Sequence, residues 1–419
     1  MAGALRIAVI GYGTGGQAAA VLLSRDGHRV EVFERAPAPG PVGAGFLLQP
    51  VGQSVLWELG LLAQALHHGR RIASLYGETP AGRPVMDMRY ADLDARLFGL
   101  GLQRGALFEL LDAAWTTHRC LHAGVDIVDL DPASGTLTAA DGRRFAGFDL
   151  VIVADGAASR MRTRVAKATL DRPYPWGAQW CLAPARGWAH ADVLHQRYVG
   201  ARRMVGVLPV GTRPGDAVAK LSFFWSLPAA ALDRTDVPSR EWREDVARVW
   251  PEALETLADI DAPAALAGAR YRDTVHREWH AGRAVLLGDA AHAMSPQLGQ
   301  GVNMALLDAL VLRDALRKRE SIESSLSHYA AQRRAHLRAY HFWSRALTPL
   351  FQSERDGWAR VRDLTFHPLS RLPVARGQML RVLSGTRRGW WSTMRLEPGF
   401  LEALERSAPD SQAHAVAAG

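Results

Sequence analysis

The chain has 419 residues, 48% apolar and 22% charged, which is room for two domains of ordinary size and the composition of a soluble globular protein. No apolar run reaches the ~18 residues needed to span a bilayer, MAGALRIAVIG lacks the order of a signal peptide, and Cys120 and Cys181 alone make no disulfide framework, so a cytoplasmic protein is expected. The formal charge of +8 reads as an Arg-rich solvated surface, because no basic block interleaves with aromatics at the spacing of a nucleic-acid interface.

Ile7 to Ile10 form an apolar strand, Gln17 to Leu23 a helix of small and apolar residues, and Val30 to Phe33 a second strand. This βαβ pattern predicts a parallel sheet. Residues 36–45, APAPGPVGAG, are a loop by composition, and 51–66 and 104–116 have the pattern of amphipathic helices. A further apolar strand at 149–154 ends at Asp155-Gly156. From 171 to 228 aromatics, Val and Pro dominate in short runs, which predicts a β-rich insertion. Residues 239–268 return to a helical pattern. Ala284 to Leu287 then run into Gly288-Asp289, followed by Pro296, two close glycines and a long apolar helix pattern. Beyond Leu350 the chain is Arg- and Trp-rich, a helical extension ending in a tail, SAPDSQAHAVAAG, expected to be disordered.

The spacing of Gly11, Gly13 and Gly16 gives a GxGxxG between a strand and a helix. Such glycines permit a tight turn, close approach of backbone to a pyrophosphate, and close packing of helix on strand. Glu34 ends the second strand, where a carboxylate accepts from ribose hydroxyls and repels a 2′-phosphate. Three further stretches follow in order: Arg104 opening QRGALFELL, Asp155-Gly156 in ADGAASRMR with Ser159, Arg160 and Arg162 behind it, and LLGDAAHAMSPQLGQG. Zinc signatures (CxxC pairs, HExxH) and the hydrolase elbow GxSxG are absent, so neither a metal nor a serine nucleophile is expected.

These four motifs, in this order over residues 5–345, resemble the single-component FAD-dependent aromatic monooxygenases of the para-hydroxybenzoate hydroxylase type. The resemblance implies an α/β protein: a Rossmann-like FAD-binding domain (1–75, 100–170 and 270–345), an inserted β-rich substrate domain (76–99 and 171–269) and a helical C-terminal extension (346–419). It implies that Gly11, Gly13, Thr14, Gly15 and Gly16 wrap the FAD pyrophosphate, that Glu34 holds the adenosine ribose with Arg35 beside it, and that Arg104 lies near the pyrophosphate. Asp155 and Gly156 belong to a motif linked to FAD and nicotinamide-nucleotide binding. Asp289 contacts the ribityl or pyrophosphate part, and Pro296, Gly299, Gly301, Val302 and Asn303 surround the isoalloxazine ring. Gly43 and Gly45 permit close approach of a segment passing over the flavin, and Val51 stands where the family more often has Asn.

The implied reaction takes hydride from NADH or NADPH to FAD, adds oxygen at flavin C4a and delivers it from the hydroperoxide to an electron-rich aromatic ring. The ring belongs to a small molecule or, as an alternative, to a residue of a peptide. His292 is expected to pack or hydrogen-bond rather than act as a base, and no catalytic base is assigned. Candidates for the substrate pocket on the insertion are Trp176, Gln179, Trp180, Met204, Leu208, Phe223 and Trp225, with Pro296 from the flavin side; alternation sets Phe223 and Trp225 on one face and Phe224 on the other. Competing readings are a flavin-dependent halogenase, whose WxWxIP signature is missing here, a flavin oxidase or dehydrogenase, and a flavin-binding redox or partner module without turnover.

Overall fold

The computed structural model describes residues 3–40, 43–232, 239–258, 260 and 266–407, so most of the expected disordered tail lies outside the described residues. The first strand, β1 (Arg6–Ile10), is almost wholly buried, as an uninterrupted apolar run requires when both faces of a parallel sheet are covered. It leads through α1 (Thr14–Arg25) into β2 (Arg29–Glu34), with Ile7 opposite Val30 in parallel register. Next come β3 (Gly45–Leu48), α2 (Pro50–Glu58) and α3 (Leu62–His68). The single helix expected over 51–66 is therefore two: Gly60, at φ +69°, turns the chain between them.

Short strands follow: β4 (Arg70–Ile72), β5 (Ser74–Glu78), β6 (Pro84–Arg89) and β7 (Gly99–Gln103). After α4 (Arg104–Ala114) come β8 (Cys120–Ala123), a meander of β9 (Ile127–Asp131), β10 (Thr136–Ala139) and β11 (Arg144–Phe145), then β12 (Leu150–Val153) and α5 (Arg162–Val165). Four long strands come next: β13 (Ala168–Pro184), β14 (Val193–Val199), β15 (Arg203–Gly211) and β16 (Lys220–Pro228). Helices α6 (Ser239–Val249) and α7 (Pro251–Thr256) fill only the first part of the helical stretch expected to 268; β17 (Ala267–His276) already occupies its end. The hairpin β18 (His280–Ala281) and β19 (Ala284–Leu286) precedes α8 (Asp289–His292) and α9 (Gly301–Lys318). The last elements are α10 (Ile322–Phe351), α11 (Asp356–Arg371), α12 (Pro373–Leu383), the small hairpin β20 (Arg387–Arg388) and β21 (Ser392–Thr393), and α13 (Pro398–Arg406).

Two sheets dominate. The first, of six strands, has the order β18-β19-β12-β1-β2-β8, with β1 parallel to both β2 and β12 and β12 parallel to β19. All of its strands but β18, which runs antiparallel to β19, deliver their C-terminal ends to one edge, where an open α/β sheet binds ligands. The second, of seven strands, has the order β17-β13-β16-β15-β14-β5-β6. One face of it packs Val205, Val207, Phe223 and Trp225 on Trp242, Val246 and Trp250 of the α6–α7 region. The other face turns toward a third, three-stranded sheet of order β3-β7-β4: Val210 and Ser222 abut Gly45 of β3 so closely that a Cβ on Gly45 would lie 2.3 Å from Val210 Cγ1.

The C-terminal helices return to the same core. Leu380, Leu383, Phe400 and Leu404 are buried in one apolar cluster with β1 and β12. The peptide N–H of Val51 donates to the Ser384 carbonyl, Gln300 Nε2 donates to the Leu383 carbonyl at 2.7 Å, and Phe400 packs against Trp57. No helix among the described residues is long and apolar enough to cross a membrane.

Candidate cofactor and substrate site

Three loops at the C-terminal edge of the six-stranded sheet, far apart in sequence, meet in space. Gly11, at φ +101°, follows β1, and a Cβ there would lie 2.5 Å from the Ala154 carbonyl oxygen, just before Asp155. A Cβ on Gly15 would strike Leu287 Cδ2 at 2.6 Å and touch Ala305 of α9, and a Cβ on Gly288 would also touch Ala305. Gly16 sits under the turn, since a Cβ would come within 2.0 Å of the Gly11 oxygen. Gly13 alone faces open space, with nothing within 4 Å of a built Cβ. The glycines of the fingerprint thus have different tasks: Gly11, Gly15 and Gly16 let backbone and helix close up, and Gly13 leaves room for a ligand.

Helix α1 starts at Thr14 and no side chain caps its N-terminus, so its first N–H groups and the positive end of its dipole are free for an anion. Glu34 stands beside this turn. Its two oxygens accept from the peptide N–H groups of Tyr12 and Ala36, each at 2.9 Å, and each oxygen keeps a lone pair for a hydroxyl donor. Arg35 is exposed next to it. Asp155 Oδ2 accepts from the N–H of Arg160 at 3.1 Å, while Oδ1 is buried without any partner, an acceptor that calls for a donor from outside the chain. Gly156, at φ +83°, opens the following turn. Arg162 is 1% exposed, donates to the carbonyls of Gly156, Ala157 and Ser159 and to Thr274 Oγ1, and so holds this turn against β17.

Asp289 is the first residue of α8; Gly288 occupies the capping position with φ +64°, so the acid is not a simple helix cap. Its side chain opens into a cleft of about 260 Å³ shared with Gly43, Arg104, Trp180, Tyr271 and Met294. Burial pushes the Tyr271 phenol up to about 12, opposed by the positive charge of Arg104. The Arg104 side chain lies directly over Gly43, where a Cβ would come 2.2 Å from its Cδ. Beyond the cleft, Pro296 starts a single 3-10 turn, Gly299 adopts the left-handed conformation, and α9 begins at Gly301 with Val302 half-buried behind it. No side chain caps α9 either, so a second positive helix end points out of the same group of loops.

Several expected residues are placed differently. Asn303 is 0% exposed and fully engaged: its Oδ1 accepts from the Gln49 N–H at 2.8 Å and its Nδ2 donates to the carbonyls of Leu47 and Gly299. It pins β3 and α2 to α9 rather than facing the cleft. Gly45 closes against Val210 and Ser222, so its bareness serves sheet packing. Phe223, Trp225 and Gln179 are corrected from the pocket: Phe223 and Trp225 are core residues under α6 and α7, and Gln179 pairs with Trp225 on that same face. Alternation separates the two faces of β16 but says nothing about which one meets the cleft. The facing side carries Trp180, which pairs with Phe224 and lines the cleft, and Met204, which packs with Phe224 and Phe351. Leu208 lies on it opposite Ser222. Trp176 is buried in the middle of β13, opposite Pro228 at the end of β16.

Sequence reasoning missed the network behind Asp289. Asp308, 0% exposed, accepts from the Gly288 N–H at 2.8 Å, pairs with His292 Nε2 at 2.6 Å and pairs with Arg333 Nε at 2.5 Å. Burial opposes its ionisation, but the charges and hydrogen bonds of His292 and Arg333 outweigh it and hold the carboxyl down at about 2. Arg333 also contacts His336, whose imidazole is pushed down to about 3 by burial and by that guanidinium, and His336 in turn meets the Gly385 carbonyl. Trp279 stacks on His292 at 5.4 Å. His292 thus hydrogen-bonds, as expected, and the readable signal was an Asp inside the apolar run MALLDAL. Among the described residues, Glu31, Cys120 and His122 bring three metal-ligand atoms within 4.8 Å, but Glu31 is already paired with Arg6 at 2.8 Å and the group sits at the β8 edge.

The geometry fits an extended dinucleotide: free helix ends, a ribose-type acceptor, an orphaned carboxylate oxygen and a cleft beside the second helix end. Comparison with known proteins agrees. The family model of an FAD binding domain matches residues 4–343. The chain is 32% identical over 343 residues to 3-amino-4-hydroxybenzoate 2-monooxygenase of Streptomyces cremeus, covering 74% of this chain and 77% of that one. It is 28% identical over 337 residues to the aurachin C monooxygenase/isomerase of Stigmatella aurantiaca, covering 78% and 85%. Among solved structures it resembles pqsL, a probable FAD-dependent monooxygenase from Pseudomonas aeruginosa, with a TM-score of 0.72, 27% identity, and coverage of 86% of this chain and 100% of that one.

Proposed function

The chain belongs to the FAD-binding-domain family of group A flavin-dependent aromatic monooxygenases, and from that premise we propose that it uses NADH or NADPH and O₂ to hydroxylate a small, electron-rich aromatic molecule. When bound, FAD supplies the oxygen-activating redox chemistry. The chain's own residues bind, orient and exclude water.

In this reading the N-terminus of α1, with Gly13 leaving the space, receives the pyrophosphate, and Glu34 accepts from the ribose hydroxyls. Asp155 Oδ1 takes a donor from the nucleotide, and Asp289 accepts from hydroxyls of the ribityl chain, since a carboxylate beside phosphate would repel it. Arg104 balances phosphate charge from across the cleft. The uncapped start of α9 aims N–H groups at the ring end of the site, where negative charge on a reduced flavin is stabilised. The apolar substrate face of the seven-stranded sheet, with Trp180, Met204 and Phe224, suits an aromatic ring and keeps the site dry. The corresponding division of the chain gives the nucleotide to the six-stranded sheet and the substrate to the seven-stranded one, with the change at β5 and β17 and the helical extension after α10. A cytoplasmic setting suits a nicotinamide-dependent enzyme whose two cysteines are both free.

The observation that carries the proposal is the meeting of the Gly11, Asp155 and Gly288 loops between two uncapped helix ends. The test is oxidation of NADH and NADPH by the purified protein against a panel of phenols, anilines, indoles and quinolines under ¹⁸O₂. The expected product carries one labelled oxygen. A protein that retains no FAD, or one that consumes reductant with every member of the panel and yields only peroxide, sinks the reading.

A further inference from the structure

Residues 355–395 contain nine arginines and two aspartates, so nearly all of the net charge of +8 sits in this segment. The same segment holds eight of the thirteen large hydrophobic side chains that stand exposed among the described residues, from Trp358 to Trp391. On α11, Trp358, Val361, Leu364 and Leu369 fall within roughly 140° of the helix at about 100° per residue, a largely apolar stripe that also holds Thr365, and Leu372 follows directly after the helix end. Leu364 is 58% exposed, Leu372 55%, and Val374, at the start of α12, 79%. The opposite side of α11 is the packed one, with Ala359, Arg362 and Ser370 buried. Arg360 and Arg371 are exposed along one border of the stripe, and among the described residues no acid lies within ion-pair distance of either. The two aspartates are already occupied, Asp356 by Arg202 at 3.2 Å and Asp363 by Arg362 at 2.6 Å. A second tip of the segment, between β20 and β21, presents Trp391 at 93% exposure, and Trp390 beside it packs on Phe342 of α10.

We propose that α11 and the start of α12 seat the protein on an anionic lipid bilayer, with the apolar stripe in the headgroup boundary and the arginines on lipid phosphates. An exposed helix that is apolar on one side and cationic at its border, with a Trp in the apolar stripe, is the form that lies in a membrane interface. A second copy of the chain fits less well, because a two-fold contact through this stripe would set the arginine row against its own image. The inference does not depend on the reaction proposed above.

The FAD-loaded full chain is sedimented with vesicles of phosphatidylcholine alone and of equal parts phosphatidylcholine and phosphatidylglycerol. Binding is expected to the anionic vesicles only, and to be lost when salt is raised from about 0.1 M to about 1 M, which shortens the screening length from about 10 Å to about 3 Å. Arg360→Ser with Arg371→Ser is expected to weaken binding about 25-fold, about fivefold for each charge at roughly 1 kcal/mol. Leu364→Ser with Leu372→Ser is expected to abolish it while leaving the flavin spectrum and melting temperature unchanged. If that pair disturbs folding, the arginine pair decides alone. Absence of binding at low salt, equal binding to neutral vesicles, or a solution dimer that the leucine pair dissociates would each overturn the proposal.

Discussion

Replacing Asp308 with Asn keeps the side-chain shape and removes its charge, leaving Arg333 and His292 buried around a neutral amide. The carboxyl sits at about 2 in the fold against an ordinary value of about 3.9 in an unfolded chain, a difference worth roughly 2–3 kcal/mol. Breaking a buried pair by removing one partner costs about 3–5 kcal/mol, so about 3 kcal/mol is common to both routes. At about 2.1 cal/mol/K per residue over 419 residues, 1 kcal/mol moves the melting temperature by about 1 °C, so Asp308→Asn is expected to melt about 3 °C lower. Because the folded value lies below the unfolded one, the carboxyl's contribution is complete above about pH 4 and fades as pH falls toward 2, so the gap between wild type and variant narrows over that range. The Gly288 N–H also loses a charged acceptor, so the turn that carries Asp289 loosens and FAD dissociates more readily. Scanning fluorimetry from pH 7 down to about pH 3, with flavin release followed by fluorescence at pH 7, reads both effects. An unchanged melting temperature at pH 7, or a gap that does not narrow below about pH 4, would refute the reasoning.

The glycine fingerprint gives a paired test. Gly13→Ala is expected to fold with an unchanged melting temperature and to bind FAD weakly, whereas Gly16→Ala, with a Cβ 2.0 Å from the Gly11 oxygen, is expected to yield little folded protein; equal behaviour in a thermal and flavin-binding assay contradicts the division of tasks. Glu34→Ala is expected to raise the FAD dissociation constant about 5- to 150-fold, corresponding to about 1–3 kcal/mol, by fluorescence titration. Phe223→Ala is expected to destabilise the fold by about 3–5 kcal/mol in a urea titration with little change in KM, and Phe224→Leu to shift KM for the aromatic substrate with little loss of stability; the reverse pattern would put the cleft on the other face of the sheet.

The parts of this molecule that were legible in the sequence are those whose physics is local. Gly11 to Gly16, Glu34, Asp155 and Gly288-Asp289 each announce a backbone turn or an acid at a strand end, and the strands and helices around them follow from period and glycine placement. The parts that were not legible depend on which distant element packs where. Asp308, Arg333 and His336 lie on two helices and meet only through tertiary packing. The period of β16 divides Phe223 from Phe224, but only the docking of α6 and α7 determines which of them is covered. The split of the 51–66 helix at Gly60 lies between these cases: the glycine was visible, its left-handed turn was not forced by the pattern.

The contact between Gly385 and Val51 has a meaning for how this protein can be cut and recombined. The family model ends at residue 343, yet a Cβ on Gly385 would lie 2.0 Å from Val51 Cγ1, and Phe400 and Leu404 complete the apolar interior that β1 begins. The border drawn by shared ancestry is therefore not a seam in the folded chain. A chimera spliced at 343 would carry a hole where another lineage's tail fails to match α2, and a graft that respects mechanical unity has to move residues 50–58 and 380–404 together.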